Sequence, residues 1–225
     1  MYAGEIQTGS GGGNILTATR STETHGENGN FIAFAVFIQT TALTQVYLTS
    51  NSRVTASGAS SGIENAARIA FINEGNAATG TEPTTIQQLK STGTLDPFIW
   101  EVNNDVHTAA AVQNANSVYH QTTQQTDADP LDYYGVKADI GAELEIPLDS
   151  QDGTYFEQVT PSASTGVAGI PTTAYQSLMQ LQPGITKVRI YMWVEGQDVD
   201  CENNASGGSL TFSLQISSNT SADGA

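Results

Sequence analysis

The sequence predicts an all-β protein, a jelly-roll-like β-sandwich with long polar loops and a flexible N-terminal segment. Apolar and polar residues alternate over several stretches, and side chains that alternate across a strand mark a sheet with one buried face. Turn-forming residues separate these stretches, and almost no stretch has the period of a helix. Several short strands bounded by turns are typical of sandwiches and jelly rolls.

The clearest alternation lies near the C-terminal end, in residues 185–195 and 209–216. The first stretch places four apolar residues on one side: Val188, Ile190, Met192 and Val194. The second does the same with Leu210, Phe212, Leu214 and Ile216. Burying a large apolar side chain is worth about 1.5–3 kcal/mol, so these residues are expected to anchor the core. The polar, glycine-rich residues 196–208 predict a loop, and the two strands are expected to form a hairpin.

Residues 1–13 are predicted to be a flexible segment, because they end in the glycine-rich stretch Gly9–Gly13 and glycine pays the largest backbone entropy on ordering. Residues 14–225 are predicted to form a single β-sandwich domain. A short apolar segment next to a flexible linker is suited to pairing with the open sheet edge of a neighbouring subunit. The residues expected to serve in this assembly contact are Tyr2, Ile6, Ile15 and Leu16. A disordered N-terminus is the alternative.

The middle of the chain contains shorter patterns. Residues 31–38 are apolar on both faces, which predicts a central strand that is covered on each side, in part by the sandwich and for the rest by a subunit interface. Pro97 places the strand predicted at 95–102 at a sheet edge, because proline cannot donate a ladder hydrogen bond. Pro83 is expected to begin a short helix over 83–90. Further strands are predicted at 45–49, 53–55, 68–72 and 140–148, whereas residues 103–129 are weakly patterned.

The composition argues against two classes of partner. The 225 residues carry 23 Asp and Glu but only seven Lys and Arg, for a net charge of −16. No basic patch is available to neutralise the phosphates of nucleic acid or of anionic membranes. No apolar run approaches the roughly 18–20 residues of a membrane-spanning helix, so membrane insertion is not expected. A polar surface with 13% charged residues suits a secreted, extracellular or cell-surface protein.

The first five residues bear on secretion, and the single cysteine bears on redox chemistry. Residues 1–5 lack the basic and apolar regions of a signal peptide, so a secreted form is expected to have lost its leader. Cys201 is the single cysteine, which excludes an intramolecular disulfide. It is expected to be a spare thiol, with pairing between chains or metal binding as alternatives.

The sequence contains no evident catalytic motif. Its three histidines are outside metal-ligand spacing of one another: His25, His107 and His120. No nucleophile elbow, P-loop, dinucleotide-binding fingerprint or zinc-protease motif occurs. Glu143 and Glu145 lie on one face of a predicted strand, a pattern that suits a solvated face better than a glycosidase pair. The protein is therefore predicted not to be an enzyme.

Calcium is the one cofactor that the sequence suggests, because Ca²⁺ takes hard oxygen ligands clustered in loops. The candidate ligands are Asp198, Asp200, Glu202, Asp127, Asp129 and Asp132. Neither group matches the twelve-residue EF-hand loop. The alternative is that these aspartates lie in solvated turns and make local backbone hydrogen bonds.

Two sets of residues carry a resemblance to a known family. The first is Tyr191–Cys201 with the glycine-rich step into Leu210–Ile216, and the second comprises Phe31–Ile38, Val46–Leu48 and Ile63–Phe71. Both resemble TasA/camelysin-like secreted, fibre-forming proteins of Gram-positive bacteria. The resemblance implies a matrix or surface fibre whose subunits join by donated strands. It also allows a structural role for the motif around Asp198, fixing the turn of the predicted hairpin.

We therefore predict a structural subunit that assembles with copies of itself into an extracellular filament or tubule, by donor-strand addition and with calcium. The alternative is a monomeric carbohydrate-binding or adhesin module of similar architecture. Its sugar platforms would be exposed aromatic residues: Trp100, Tyr133, Tyr134 and Trp193. A third hypothesis is a hydrolase, including the proteolytic activity associated with camelysin-like proteins. The sequence contains no zinc-binding histidine pair, which makes this hypothesis the weakest of the three.

Overall fold

The computed structural model is mainly antiparallel β-sheet with two short helices, α1 (Pro83–Gln87) and α2 (Ala109–Ser117). It describes residues 2–8, 14–20, 29–57, 62–93, 97–102, 107–117, 133–136, 146–147, 156–159, 176–196, 198, 200–201 and 209–219. The strands are β1 (Tyr2–Thr8), β2 (Asn14–Arg20), β3 (Ile32–Thr40), β4 (Thr44–Leu48), β5 (Arg53–Ser57), β6 (Ala67–Ala77), β7 (Phe98–Glu101), β8 (Tyr133–Val136), β9 (Ile146–Pro147), β10 (Phe156–Val159), β11 (Gln176–Leu181), β12 (Gly184–Val194), β13 (Ser209–Ser213) and β14 (Ile216–Ser217). The prediction of a β-rich protein is confirmed.

A four-stranded sheet in the order β3-β12-β6-β7 forms one layer of the described fold. Strand β12 pairs with β3 from Gly184 opposite Thr40 to Met192 opposite Ile32. On its other side it pairs with β6 as far as Val194 opposite Ala67. Its residues alternate between buried and half-buried along almost its whole length, as the sequence pattern predicts.

The predicted C-terminal hairpin is wrong. Strands β12 and β13 do not pair with each other: β13 pairs with β5, and β12 lies between β3 and β6. Alternation identifies a strand and its buried face but not its partner, and the long segment between the two strands does not force a hairpin. Ile216 is also exposed rather than buried, because the second arm is broken at residues 214–215 into β13 and β14.

Two shorter ladders contribute residues to the same core as the four-stranded sheet, and together they are called the opposite layer. One has the order β11-β4-β14, and the other joins β13 to β5. Between them, the Thr49 backbone N–H donates to the Gln215 carbonyl oxygen at 3.0 Å. The Ser52 hydroxyl donates to the same oxygen at 3.0 Å and accepts from the Gln215 N–H at 2.9 Å. These bonds satisfy backbone groups at the break, where regular pairing is interrupted.

Residues from both layers share one hydrophobic core. The four-stranded sheet contributes Ala67, Ile69, Phe71, Trp100, Val188, Ile190 and Met192, and the opposite layer contributes Val46, Leu48, Val54, Leu178 and Leu181. Val36, Ile38, Leu210 and Phe212 pack against this cluster from its margins. Phe71 and Phe98 meet edge to face with their ring centroids 6.2 Å apart, which adds to the burial of their area.

The chain crosses from one layer to the other in the tight turn between β11 and β12. Gly184 begins β12 with φ +124°, a conformation that favours glycine. A Cβ atom there would lie 2.4 Å from the carbonyl oxygen of Ala77. The Thr40 hydroxyl donates to the Gln182 carbonyl oxygen at 2.8 Å on the same turn. A side chain at position 184 would therefore push the sheet apart at the point where three strands meet.

The N-terminal residues form a β-hairpin in which β1 and β2 pair antiparallel from Tyr2 opposite Arg20 to Thr8 opposite Asn14. Strand β2 also pairs with the two-residue strand β9, and β8 pairs with β10. Only Ile146–Pro147 of the predicted strand 140–148 lies within the described residues. The mobility of residues 1–13 stays a prediction, because residues 9–13 lie outside the described part.

The two short helices lie in the segments between strands. Pro83 stands at the start of α1, as predicted, and the helix ends sooner than expected. The Lys187 ammonium donates to the carbonyl oxygens of Gln87 and Leu89, both at 2.8 Å, so a cation satisfies carbonyls at the C-terminal end of α1. Helix α2 lies in the weakly patterned stretch and was not predicted. No helix in the described part of the chain is long and apolar enough to cross a membrane.

Candidate functional site

The predicted acidic loop packs onto a buried arginine. Arg68, near the start of β6, donates from Nη2 to Glu101 Oε1 and to Asp198 Oδ2, both at 2.7 Å. Its Nη1 donates to the carbonyl oxygens of Asn65 and Ala67. The Arg68 side chain is 5% exposed, and those of Glu101 and Asp198 are 0% and 1% exposed. Two carboxylates therefore share one guanidinium out of contact with water.

The second aspartate of the loop holds the start of helix α2. Asp200 Oδ2 lies 2.6 Å from His107 Nδ1, and Asp200 Oδ1 accepts from the Thr108 backbone N–H at 2.8 Å. The Thr108 hydroxyl in turn accepts from the Ala111 N–H at 3.2 Å, which is an N-cap for α2. Asp200 thus fixes the position of a helix that is distant from it in the sequence.

The loop adopts this shape through local bonds. Asp198 Oδ1 accepts from the Asp200 N–H at 2.9 Å, and the Cys201 N–H donates to the Asp198 carbonyl oxygen at 2.9 Å. Gly62 lies against it with φ +82°, and a Cβ atom there would be 2.3 Å from Thr108 Cγ2. The alternative of local aspartate-to-backbone bonds is therefore confirmed for Asp198. The same alternative placed these aspartates in solvated turns, and this part is wrong because both are buried.

Calcium binding stays a prediction. In the structure, the Asp198 carboxylate contacts Arg68 and the Asp200 carboxylate contacts His107. Among the described residues, no group of three or more His, Cys, Asp or Glu is placed to hold a metal ion. The other candidate ligands, Glu202, Asp127, Asp129 and Asp132, lie outside the described residues.

The partners of the acidic loop were missed from the sequence, although one signal was available. Arg68 interrupts the apolar run Ala66–Phe71, and a lone cation in a buried strand requires a partner of opposite charge. Nothing in the sequence pointed to Glu101 or His107 as companions, because they are distant from the loop along the chain.

Burial perturbs two titrating groups in this cluster. The pKa of Asp198 is raised above its ordinary value of 3.8, chiefly because burial penalises the charged carboxylate. The charge and hydrogen bond of Arg68 and the Asp200 N–H act in the opposite direction. Burial also raises the pKa of the Cys201 thiol, as do the negative charges of Asp198 and Glu195. A thiol in this state is a poor nucleophile at neutral pH, and its role as a spare thiol stays a prediction.

A second candidate site is the outer edge of the four-stranded sheet. Five large apolar side chains are exposed in the described part of the chain, and three of them belong to β3: Ile32, Phe34 and Phe37. The prediction of a central strand is wrong for the described sheet, because β3 is at its edge. Cover of the exposed residues by a subunit interface stays a prediction.

The N-terminal residues predicted for assembly are brought together in the hairpin. Ile6 is the Cα partner of Leu16, Gln7 that of Ile15, and Tyr2 that of Arg20. Their assembly role stays a prediction.

The aromatic residues proposed as sugar platforms have different environments. Trp100 is 3% exposed and belongs to the core, so it cannot stack on a sugar without unfolding. Trp193 is half-buried, and its indole N–H donates to Glu195 at 3.2 Å. The side chains of Tyr133 and Tyr134 lie outside the described part.

No protein-family model, curated protein or solved structure matches this chain. The resemblance to TasA/camelysin-like proteins therefore stays a prediction.

Replacing Arg68 should strongly destabilise the fold. In the Arg68→Met variant, Glu101 and Asp198 would remain buried without their shared cation, and breaking a buried ion pair in this way costs about 3–5 kcal/mol. Urea unfolding would measure the loss. Arg53→Met, which changes an exposed arginine on β5, should alter stability by no more than about 0.5 kcal/mol. Adding Glu101→Gln and Asp198→Asn to Arg68→Met should recover part of the loss; no recovery would contradict the electrostatic explanation.

The pH dependence of Asp198 should have an unusual sign. The pKa of Asp198 in the folded state lies above its ordinary value of 3.8. At pH values between 3.8 and the folded pKa, the folded state therefore binds more protons than the unfolded state. The contribution of Asp198 to the free energy of unfolding therefore rises as pH falls through this window, and falls as pH rises. The melting temperature of the unaltered protein minus that of Asp198→Asn should become larger as the pH is lowered from about 7 to about 4. A flat or decreasing difference would contradict the raised pKa.

Proposed function

We propose that this protein is a non-enzymatic structural subunit that assembles with copies of itself into an extracellular filament or tubule. The exposure of Ile32, Phe34 and Phe37 on the edge strand β3 is the observation that carries this proposal. Exposed apolar residues are common singly, but three of them on one edge strand, with Ile32 and Phe34 on the same face, favour a contact surface. Its position on a strand edge favours pairing with another β-strand.

The architecture suits assembly by strand addition. Two layers that share one core are consistent with a jelly-roll-like β-sandwich, and a sandwich with an open edge can accept a strand from a neighbour. Strand β1 is the proposed donor, with Tyr2, Ile6, Ile15 and Leu16 as the assembly residues. Strand β1 is at the edge of the described β1-β2-β9 sheet and pairs there with β2, so donating it to a neighbour breaks one ladder of that sheet.

The charge of the chain restricts how copies can approach each other. At a net charge of −16, two copies repel each other over roughly 10 Å at moderate salt. Main-chain hydrogen bonds and apolar contacts act at shorter range and do not depend on charge. A divalent cation such as Ca²⁺ would lower the repulsion by binding carboxylates, which gives calcium a role in assembly.

Deleting residues 1–13 should abolish polymerisation and leave the domain folded. The described core cluster begins at Val46, so removal of β1 should leave the melting temperature within a few degrees of the original. Negative-stain electron microscopy should show fibres or tubes for the unaltered protein and dispersed particles for the deletion variant. A truncation of residues 220–225 controls for shortening the chain.

Two outcomes would contradict parts of this proposal. Dispersed particles of the unaltered protein, with and without Ca²⁺, would overturn the structural function, and a glycan-binding screen would then test the alternative. Unchanged fibres after the deletion would leave the structural function in place and overturn donation by β1.

Calcium should promote assembly. Chelation with EDTA is expected to lower the melting temperature or to shift fibres toward dispersed subunits, because unscreened carboxylates repel. An equal concentration of Mg²⁺ added back tests whether screening alone suffices. If neither the melting temperature nor the assembly state changes after chelation, calcium has no role.

A further inference from the structure

The exposed apolar residues of β3 lie on both sides of the sheet, and two of them face the core side. The register of β3 against β12 runs without interruption, with Ile32 opposite Met192 and Phe34 opposite Ile190. Directly opposite residues of antiparallel strands point to the same face, and Met192 and Ile190 are buried in the core. Ile32 and Phe34 thus point toward the core layer but remain exposed, because the opposite layer does not extend over them.

An apolar cleft of about 200 Å³ opens at this place. Its lining includes Phe31 and Ile32 at the start of β3 and Met192 and Val194 of β12. It also includes Leu210 and Phe212, whose strand β13 belongs to the opposite layer. The cleft therefore lies between the two layers, and its walls are margins of the core.

The two edges of the four-stranded sheet are built differently. Strand β7 has four residues and follows Pro97. Short length and proline are devices that block edge-to-edge pairing. Strand β3 has nine residues, and none of them is charged or proline. Only β3 among the described edges of this sheet is suited to accept another strand.

We propose that the cleft between β3 and β13 is the acceptor site for a β-strand of a second copy of this chain, which adds to β3 as a fifth strand and fills the core gap. This inference rests on the proposed function and specifies where the contact forms. The added strand bonds to the backbone edge of β3 at which no described strand pairs, and alternate side chains enter the cleft beside Ile32.

The N-terminal strand β1 has the chemistry that the cleft requires. Its alternate positions Tyr2, Gly4, Ile6 and Thr8 are uncharged, and Glu5 falls on the other set. A strand can therefore place apolar groups in the cleft and leave its carboxylate outside. Its seven residues fit along the nine of β3. A segment with carboxylates at alternate positions would instead bury charge in the cleft, and apolar lining residues do not offset that cost.

The test compares Ile32→Asp with Leu43→Asp. Ile32 is 59% exposed and lines the cleft, whereas Leu43 is 54% exposed and does not line it, so both variants introduce the same charge at equally accessible aliphatic positions. Both should fold, as judged by the melting temperature. Ile32→Asp should raise the concentration needed for fibre formation about tenfold or more, whereas Leu43→Asp should change it less than about threefold. If Ile32→Asp is unstable, Ile32→Thr serves in its place, because threonine is accommodated in strands.

A cross-linking experiment identifies the occupant. In a Cys201→Ser background, one preparation carries Ile6→Cys and the other Ile32→Cys, and they are mixed before assembly with a short bis-maleimide. The expected product is a covalent heterodimer that forms only under assembly conditions. The same reaction with Leu43→Cys in place of Ile32→Cys is the control and should give no more than background.

The outcomes separate this inference from the proposed function. Fibres that form equally well from Ile32→Asp and Leu43→Asp would overturn the acceptor site and leave the structural function in place. Loss of fibres in Ile32→Asp without the heterodimer would overturn β1 as the occupant. An unaltered protein that forms no fibres under any condition would overturn the structural function and this inference together.

Discussion

The described fold depends on the pairing of β12 along both of its edges. This strand joins β3 to β6, and its buried side supplies Val188, Ile190 and Met192 to the core. The turn at Gly184 fixes where β12 begins, and the turn that starts at Glu195, whose N–H donates to the Ala66 carbonyl oxygen at 2.8 Å, fixes where it ends. Since β12 carries the sheet that contains both Arg68 and the open edge, the charge cluster and the proposed assembly surface are held by the same strand.

The sequence was informative where a local pattern determines the structure. Alternation predicted β12, its buried face and the outline of β13, and Pro83 and Pro97 predicted a helix start and a sheet edge. It failed where the outcome depends on partners distant in the chain. The apolar pattern of residues 31–38 is equally compatible with a central strand and with an edge strand whose exposed residues contact another subunit. Hydrophobicity shows that a strand needs cover, but it does not identify the element that provides the cover. Helix α2 escaped notice since its position depends on Asp200 through Thr108.

The acidic loop illustrates the same limit for a site. Carboxylates at alternate positions suit a metal ion, a solvated turn or an internal ion pair, and the sequence spacing is the same in all three. The decision lies with residues on other elements: Arg68 on β6, Glu101 on β7 and His107 before α2. Asp198 then joins the loop to the sheet through Arg68, and Asp200 joins it to the start of α2 through His107 and Thr108. The charge and hydrogen bond of Arg68 offset part of the cost of burying the Asp198 carboxylate.

The difference between the proposed acceptor edge on β3 and the proposed donor strand β1 has a consequence for the shape of the assembly. A surface that accepts a strand and a different surface that provides one cannot pair with themselves, so the contact between copies is head-to-tail rather than two-fold symmetric. Such contacts repeat without closing unless the rotation between neighbours returns to its start. A polymer of this kind has two chemically distinct ends, one with an empty acceptor and one with an unused donor. Growth at these ends would proceed at different rates, and a single molecule that occupies the acceptor would stop one of them.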